Sequence, residues 1–174
     1  WREGVSYCWH QRDENDPAPT SGEIRQAKAE ARKAREQAEA ELAEKHIETA
    51  KNLKGVFDGL PQADNSNGYL NRKGINPAGD IRQGANGQLV IPVLDGDGNL
   101  QSIQQIYPDS TKRFAPNAKM AGGRFILGEI KDGDPIILAE GYATSASIFA
   151  AGVGAAVICL FGSFLIEVAA DLRS

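Results

Sequence analysis

The chain has 174 residues, a formal net charge of −4 and a sequence pI of about 5.2. That length allows one substantial core with an appendage, and the acidic balance excludes an overall basic field for holding nucleic acid, leaving only local patches for such contact. Cys8 and Cys159 lie far apart, which speaks against a disulfide framework and for a reducing, cytoplasmic setting.

Residues 1–19 are polar and turn-rich, end in Asp16-Pro-Ala-Pro19, and read as a linker or the tail of an upstream module. Position 1 is Trp with no basic-then-apolar leader after it, the pattern of an excised piece of a longer protein. Cys8-Trp9-His10 offers two zinc ligands, but zinc takes four and no second Cys/His pair lies nearby. Residues 20–55 read as a helix. Thr20-Ser-Gly-Glu23 fits a capping box, and residues 23–54 are dominated by Ala, Glu, Lys, Arg and Gln, all strong helix formers. Glu41 and Lys45 form an ordered i,i+4 pair, and Gly55 is the expected stop. The apolar stripe is thin: Ile24, Ala27, Ala31, Ala34, Ala38 and Leu42, then Ile47 and Leu53. The first half of this helix should be solvated, a spacer arm or the seam of a weak dimer.

Residues 56–134 read as a mainly antiparallel β subdomain. Asn86-Gly87 and Asp97-Gly98 are hairpin signals flanking a strand over 88–94, and a second strand follows over 100–107. Asp95-Gly-Asp-Gly-Asn99 has the opening of a calcium loop, but Leu100 and Ile106 stand where that loop needs Gly and Glu. A tight turn is the better reading. Basic residues gather in this zone: Arg72, Lys73, Arg82, Lys112, Arg113, Lys119 and Arg124, with Tyr107 and Phe114 among them. Such a group suits phosphates and bases, although ordinary solvated charges have the same spacing.

Residues 135–174 read β-α-β-α, with strands over 135–139 and 156–161, a helix from Tyr142 and a last helix to Leu172. That order implies parallel strands, so the fold class is α+β: a long helix, an antiparallel meander, then an α/β unit. No charge occurs over 142–166, long enough for a membrane span. Gly152 and Gly154 split that run, and no aromatic belt or basic flank marks its ends, so a buried helix–strand unit with no membrane contact is expected. The first strand stops at Glu140 and Gly141, placing a carboxylate at the strand tip where open α/β sheets meet ligands and metals. A carboxylate complementing the dipole of the next helix would look the same.

Several segments in order resemble a known family. Tyr69-Leu-Asn-Arg-Lys-Gly-Ile75, Leu89-Val-Ile-Pro-Val93 with Asp97-Gly98 after it, Lys112-Arg113-Phe114, Gly123-Arg-Phe-Ile-Leu-Gly128 and Ile137-Leu-Ala-Glu-Gly-Tyr142 together resemble the catalytic core of toprim-type DNA primases. The likeness is to those of plasmids, phages and integrative elements, often fused to helicases, and covers about residues 65–173. It implies that Glu140 belongs to an acidic cluster binding Mg²⁺ or Mn²⁺, and that the metal serves phosphodiester formation. It further implies that Arg72, Lys73, Lys112 and Arg113, with Arg82 and Lys119 in the same basic group, line a groove for single-stranded DNA and nucleoside triphosphates. A helicase partner or fused domain goes with the family. The chain departs from it in three ways. The Asp-x-Asp motif of the family belongs to a strand beyond Ser174, Gly162-Ser-Phe-Leu165 replaces an expected Asp and Gly-Asn pair, and no zinc module precedes the core. Negligible primer synthesis by this chain alone is therefore expected. The other reading is a non-catalytic binding protein of a mobile element, built on a decayed toprim scaffold and contacting a host protein or DNA.

Overall fold

A computed structural model describes residues 19–158 and 164–173; Cys8-Trp9-His10, Cys159 and the end of the strand expected over 156–161 lie outside them. The chain divides into two compact units, one ending at Glu41 and one starting at Leu42. Helix α1, Ser21–Gly59, begins in the first. Its capping box forms in both directions: Glu23 N–H donates to Thr20 Oγ1 at 3.3 Å, and Thr20 N–H donates to Glu23 Oε2 at 2.7 Å. The Thr20 amide, and the Thr20 hydroxyl at 2.8 Å, both donate to the Glu23 carboxyl and hold it below its usual pKa. Every described residue up to Glu41 is exposed, the alanine stripe included, so local bonds such as Arg35 to Glu39 at 2.7 Å sustain this half.

Two expectations for α1 need correction. Glu41 accepts from Gln37 Nε2 at 3.0 Å, a different neighbour from the expected Lys45. Gly55 does not end the helix, which continues to Gly59. The reason is packing: Phe57, 4% exposed, clusters with Val90 and Ile103. Burying a phenylalanine contributes roughly 2–3 kcal/mol, more than the ~1 kcal/mol an interior glycine costs.

The second unit continues with α2 (Gly68–Lys73), β1 (Arg82–Gln83), β2 (Leu89–Leu94), β3 (Leu100–Ile106) and β4 (Lys112–Phe114). Then come β5 (Phe125–Leu127), β6 (Ile136–Ala139), α3 (Tyr142–Ala150), β7 (Ala155–Ile158) and α4 (Leu165–Asp171). β1 to β4 form an antiparallel sheet in sequence order. Its β2–β3 hairpin turns where Asp97-Gly98 marked it: Asp95 Oδ1 accepts from the Asp97 and Asn99 amides at 3.0 and 2.8 Å, and Gly98 takes a φ of 83°. The second sheet has the order β5-β7-β6. β6 and β7 are parallel, as the β-α-β order implies, while β5 runs antiparallel to β7 and makes the sheet mixed. Reciprocal amide bonds between Leu94 and Arg124, 2.8 and 2.9 Å, tie the two sheets together.

Pleat alternation sorts the core. Leu89, Ile91, Val93 and Ile106 from the first sheet meet Phe125, Leu127, Ala156 and Ile158 from the second, with Tyr69 and Leu70 of α2 and Tyr142 of α3. On the opposite face of the first sheet, Val90 and Ile103 pack on Phe57. On the opposite face of the second, Val157 packs on Val168 of α4. Among the described residues no helix is long and apolar enough to cross a membrane.

Candidate functional site

β6 carries the sequence Ile-Ile-Leu-Ala and hands over to an exposed Glu140 just past its carboxyl end. Gly141 follows as the residue before α3, extended at φ −123° and ψ 141°, and no side chain caps the helix. Strand tip, carboxylate and uncapped helix start thus share one corner. Tyr142 fixes that corner: it is fully buried, donates from its hydroxyl to Ala78 O at 2.9 Å and accepts from Ala78 N at 2.8 Å. Burial raises its phenol pKa to about 12.

Lys112 supplies positive charge at the same corner. It pairs with Ile106 in the β3–β4 register and so shares the inner face of its sheet with Ile106 and Phe114. A Cβ on residue 141 would stand 3.8 Å from Lys112 Nζ. A side chain at 141 would make only ordinary contact there, so the ammonium lies beside the backbone just after Glu140 without needing the glycine. Arg72, in the last turn of α2, reaches the β3–β4 turn and donates to Ser110 Oγ at 2.5 Å. In that turn Ser110 adopts a φ of 73°, and Asp109 accepts from the Thr111 amide and hydroxyl, both at 2.8 Å. Those bonds, with a smaller contribution from Arg72, hold the Asp109 carboxyl below its usual pKa.

The remaining basic residues do not converge on this corner. Lys73 is exposed beside Arg72 at the end of α2. Arg113, one residue from Lys112 on a strand, points to the other face and lies over the Tyr107 ring at 5.6 Å. Arg82 is engaged by Asp80 at 2.9 Å and stacks on Phe57 at 5.2 Å. Lys119 is exposed beside Asp95, on a rim shared with Arg124, Glu167 and Asp171. Arg124 itself is 7% exposed, paired with Asp171 and hydrogen-bonded to Gly96 O at 3.4 Å. Sequence reasoning missed Ser110 and the anchoring role of Tyr142. For Tyr142 the available signal was an aromatic with a polar tip directly after an acid–glycine step.

Glu140 is the exposed carboxylate at this corner, and among the described residues no three His, Cys, Asp or Glu side chains gather into a ready-made metal cage. Divalent magnesium commonly takes only one or two protein carboxylates and completes its shell with water and substrate phosphates.

No family model and no solved structure matches the chain. Two DNA primases named TraC, both from Escherichia coli, do. One is 32% identical over 151 residues, covering 79% of this chain and 10% of that primase. The other is 29% identical over 154 residues, covering 81% of this chain and 14% of its own length. The chain spans between a tenth and a seventh of these curated relatives. Across most of its length, this chain is related in sequence to a segment of DNA primases.

Proposed function

We propose that the chain is part of the catalytic core of a toprim-type DNA primase from a plasmid, phage or integrative element, acting in the cytoplasm on single-stranded DNA and nucleoside triphosphates. The observation that carries this reading is the exposed Glu140 at the tip of a parallel strand, with Lys112 Nζ against the next residue. Sequence similarity to two DNA primases supports it independently.

In this reading Glu140 is one ligand of Mg²⁺ or Mn²⁺. When bound, the metal would lower the pKa of a primer 3′-hydroxyl and neutralise triphosphate charge. Lys112 and Arg72 hold phosphate oxygens beside the carboxylate, and Lys73 extends that positive rim along α2. Lys112 is the residue placed to orient the phosphate nearest Glu140; Arg72, fixed by Ser110, meets one further out. Arg82, Arg113 and Lys119 stand apart from this group and would contact only more distant parts of a strand. A helicase, fused or separate, would supply the template. One carboxylate holds a divalent ion weakly, so the 174-residue chain alone should make negligible primer.

Amide NMR with Mn²⁺ as a paramagnetic probe tests the metal assignment. The Gly141, Tyr142 and Ala143 signals should broaden in the native chain and stay sharp in Glu140→Gln. Broadening that is unchanged by the substitution would sink the assignment. Fluorescence anisotropy with a labelled oligodeoxynucleotide tests the basic group: Lys112→Glu and Arg72→Glu should each weaken binding about tenfold at low salt. Metal-independent DNA binding that ignores Glu140→Gln would instead identify a non-catalytic binding protein on the same scaffold.

A further inference from the structure

Where the last turns of α1 meet the β2–β3 hairpin, the second unit encloses a groove of about 370 Å³ that shares no residue with the strand-tip corner. Phe57, Pro92, Leu94 and Leu100 give it an apolar lining. Its size falls in the range of roughly 300–1,000 Å³ that small-molecule sites occupy. The charged groups at its mouth are unequal. Lys54 is taken by Asp58 at 2.6 Å and Asp80 by Arg82 at 2.9 Å, so both acids are already neutralised. Lys51 is exposed at the same mouth and enters none of the ion pairs found among the described residues. An apolar trough with one uncompensated positive charge at its lip selects by two criteria at once.

We propose that this groove binds a small amphipathic anion: one aromatic or aliphatic body with a single carboxylate, phosphate or sulfonate. The body gains by leaving water against Phe57, Pro92 and Leu100. The head group meets Lys51, an exposed residue of the lining whose charged end stays in water, as long cationic side chains do. A neutral molecule of the same shape loses the charge-assisted bond. A second negative charge on the ligand finds no second unpaired cation among the described lining residues, because Lys54 is held by Asp58, and so adds little.

The experiment uses the full chain with anilinonaphthalene sulfonate as the probe, followed by fluorescence, and two-dimensional amide NMR to place it. Saturable binding of one probe is expected, with the largest shifts at Gly98, Asn99 and Lys51. Lys51→Glu should weaken it about tenfold or more, while Lys51→Arg should retain it. Uncharged phenyl naphthylamine should bind several-fold less well. Ala50→Trp, which fills the groove from a half-buried lining position on α1, should abolish binding. Lys51 is solvent-exposed, so its variants keep the fold, and native amide dispersion checks this. The proposal is overturned if the probe does not bind, if Lys51→Glu binds as tightly as the native chain, or if the shifts map to the exposed apolar residues Ile130, Phe149 and Val153.

Discussion

β2 and β6 are equally apolar in sequence, Leu-Val-Ile-Pro-Val-Leu against Ile-Ile-Leu-Ala, but the first has five of six residues buried and the second has all four only half-buried. β2 has hydrogen-bonded strands on both sides, with core packed on each face. Among the described residues β6 stands at the margin of its sheet and pairs with β7 alone. Between these two strands, what packs beside and on each face, more than hydrophobicity, sets how deeply each is covered. The covered strand supplies rigidity, and the marginal strand presents its tip, with Glu140, to solvent.

The sharpest way to break this contrast is a matched pair of truncations. Ile91→Ala in β2 should cost about 2–5 kcal/mol in chemical denaturation, and Leu138→Ala in β6 less than half as much, since Leu138 retains partial exposure. Equal losses would show that β6 is as deeply held as β2. Next in size is the join of β6 to β7. Gly154 has a φ of 128°, and a Cβ there would lie 2.2 Å from Pro135 O. Gly154→Ala should destabilise by ~1–3 kcal/mol and speed hydrogen exchange in β6 before β2.

Tyr142→Phe removes both bonds to Ala78 and should cost roughly 1–3 kcal/mol. It also carries a pH signature. The phenol ionises near 10.0 when free and at about 12 in the folded chain, so between those values the unfolded chain loses a proton that the folded chain keeps. The stability this provides is present below pH 10 and is lost as pH rises through 12, by up to roughly 3 kcal/mol. The Phe variant should lack that part of the alkaline loss in a pH series of denaturation curves. Smallest is Thr20→Ala, about 1 kcal/mol of helix-end stability. It should lower α1 helicity by circular dichroism and leave both sheets untouched, because no described residue up to Glu41 is buried.

Much of the architecture was readable where local chemistry decides it. The capping box, the β2–β3 turn and the parallel β6–α3–β7 unit rest on neighbours in sequence, and each formed. Helix α2 was not foreseen: six residues show no helical period, and its evidence is confined to the ends. Asn67 accepts from the Tyr69 and Leu70 amides at 3.1 and 3.4 Å, and Gly74 closes it at a φ of 64°. The antiparallel pairing of β5 with β7 joins residues some thirty apart, beyond any local pattern. For the candidate site, the strand-tip position of Glu140 was legible. The separation of Lys112 from Arg113 follows from strand alternation once β4 is known, but a three-residue strand leaves little signal. Arg82 was unreadable as a partner of Phe57, because that contact depends on α1 continuing past Gly55.

The Tyr142 hydroxyl bridges both backbone polar groups of one residue, Ala78 N–H and Ala78 O, across 64 positions of sequence. It stands in for the strand neighbour that this stretch of chain would otherwise need. The bridge also acts as a mechanical linkage, because a ligand that tugs the first turn of α3 must strain the Ala78 peptide. The Ala78 amide resonance is therefore a remote gauge of events at Glu140, readable without placing any label at the corner itself.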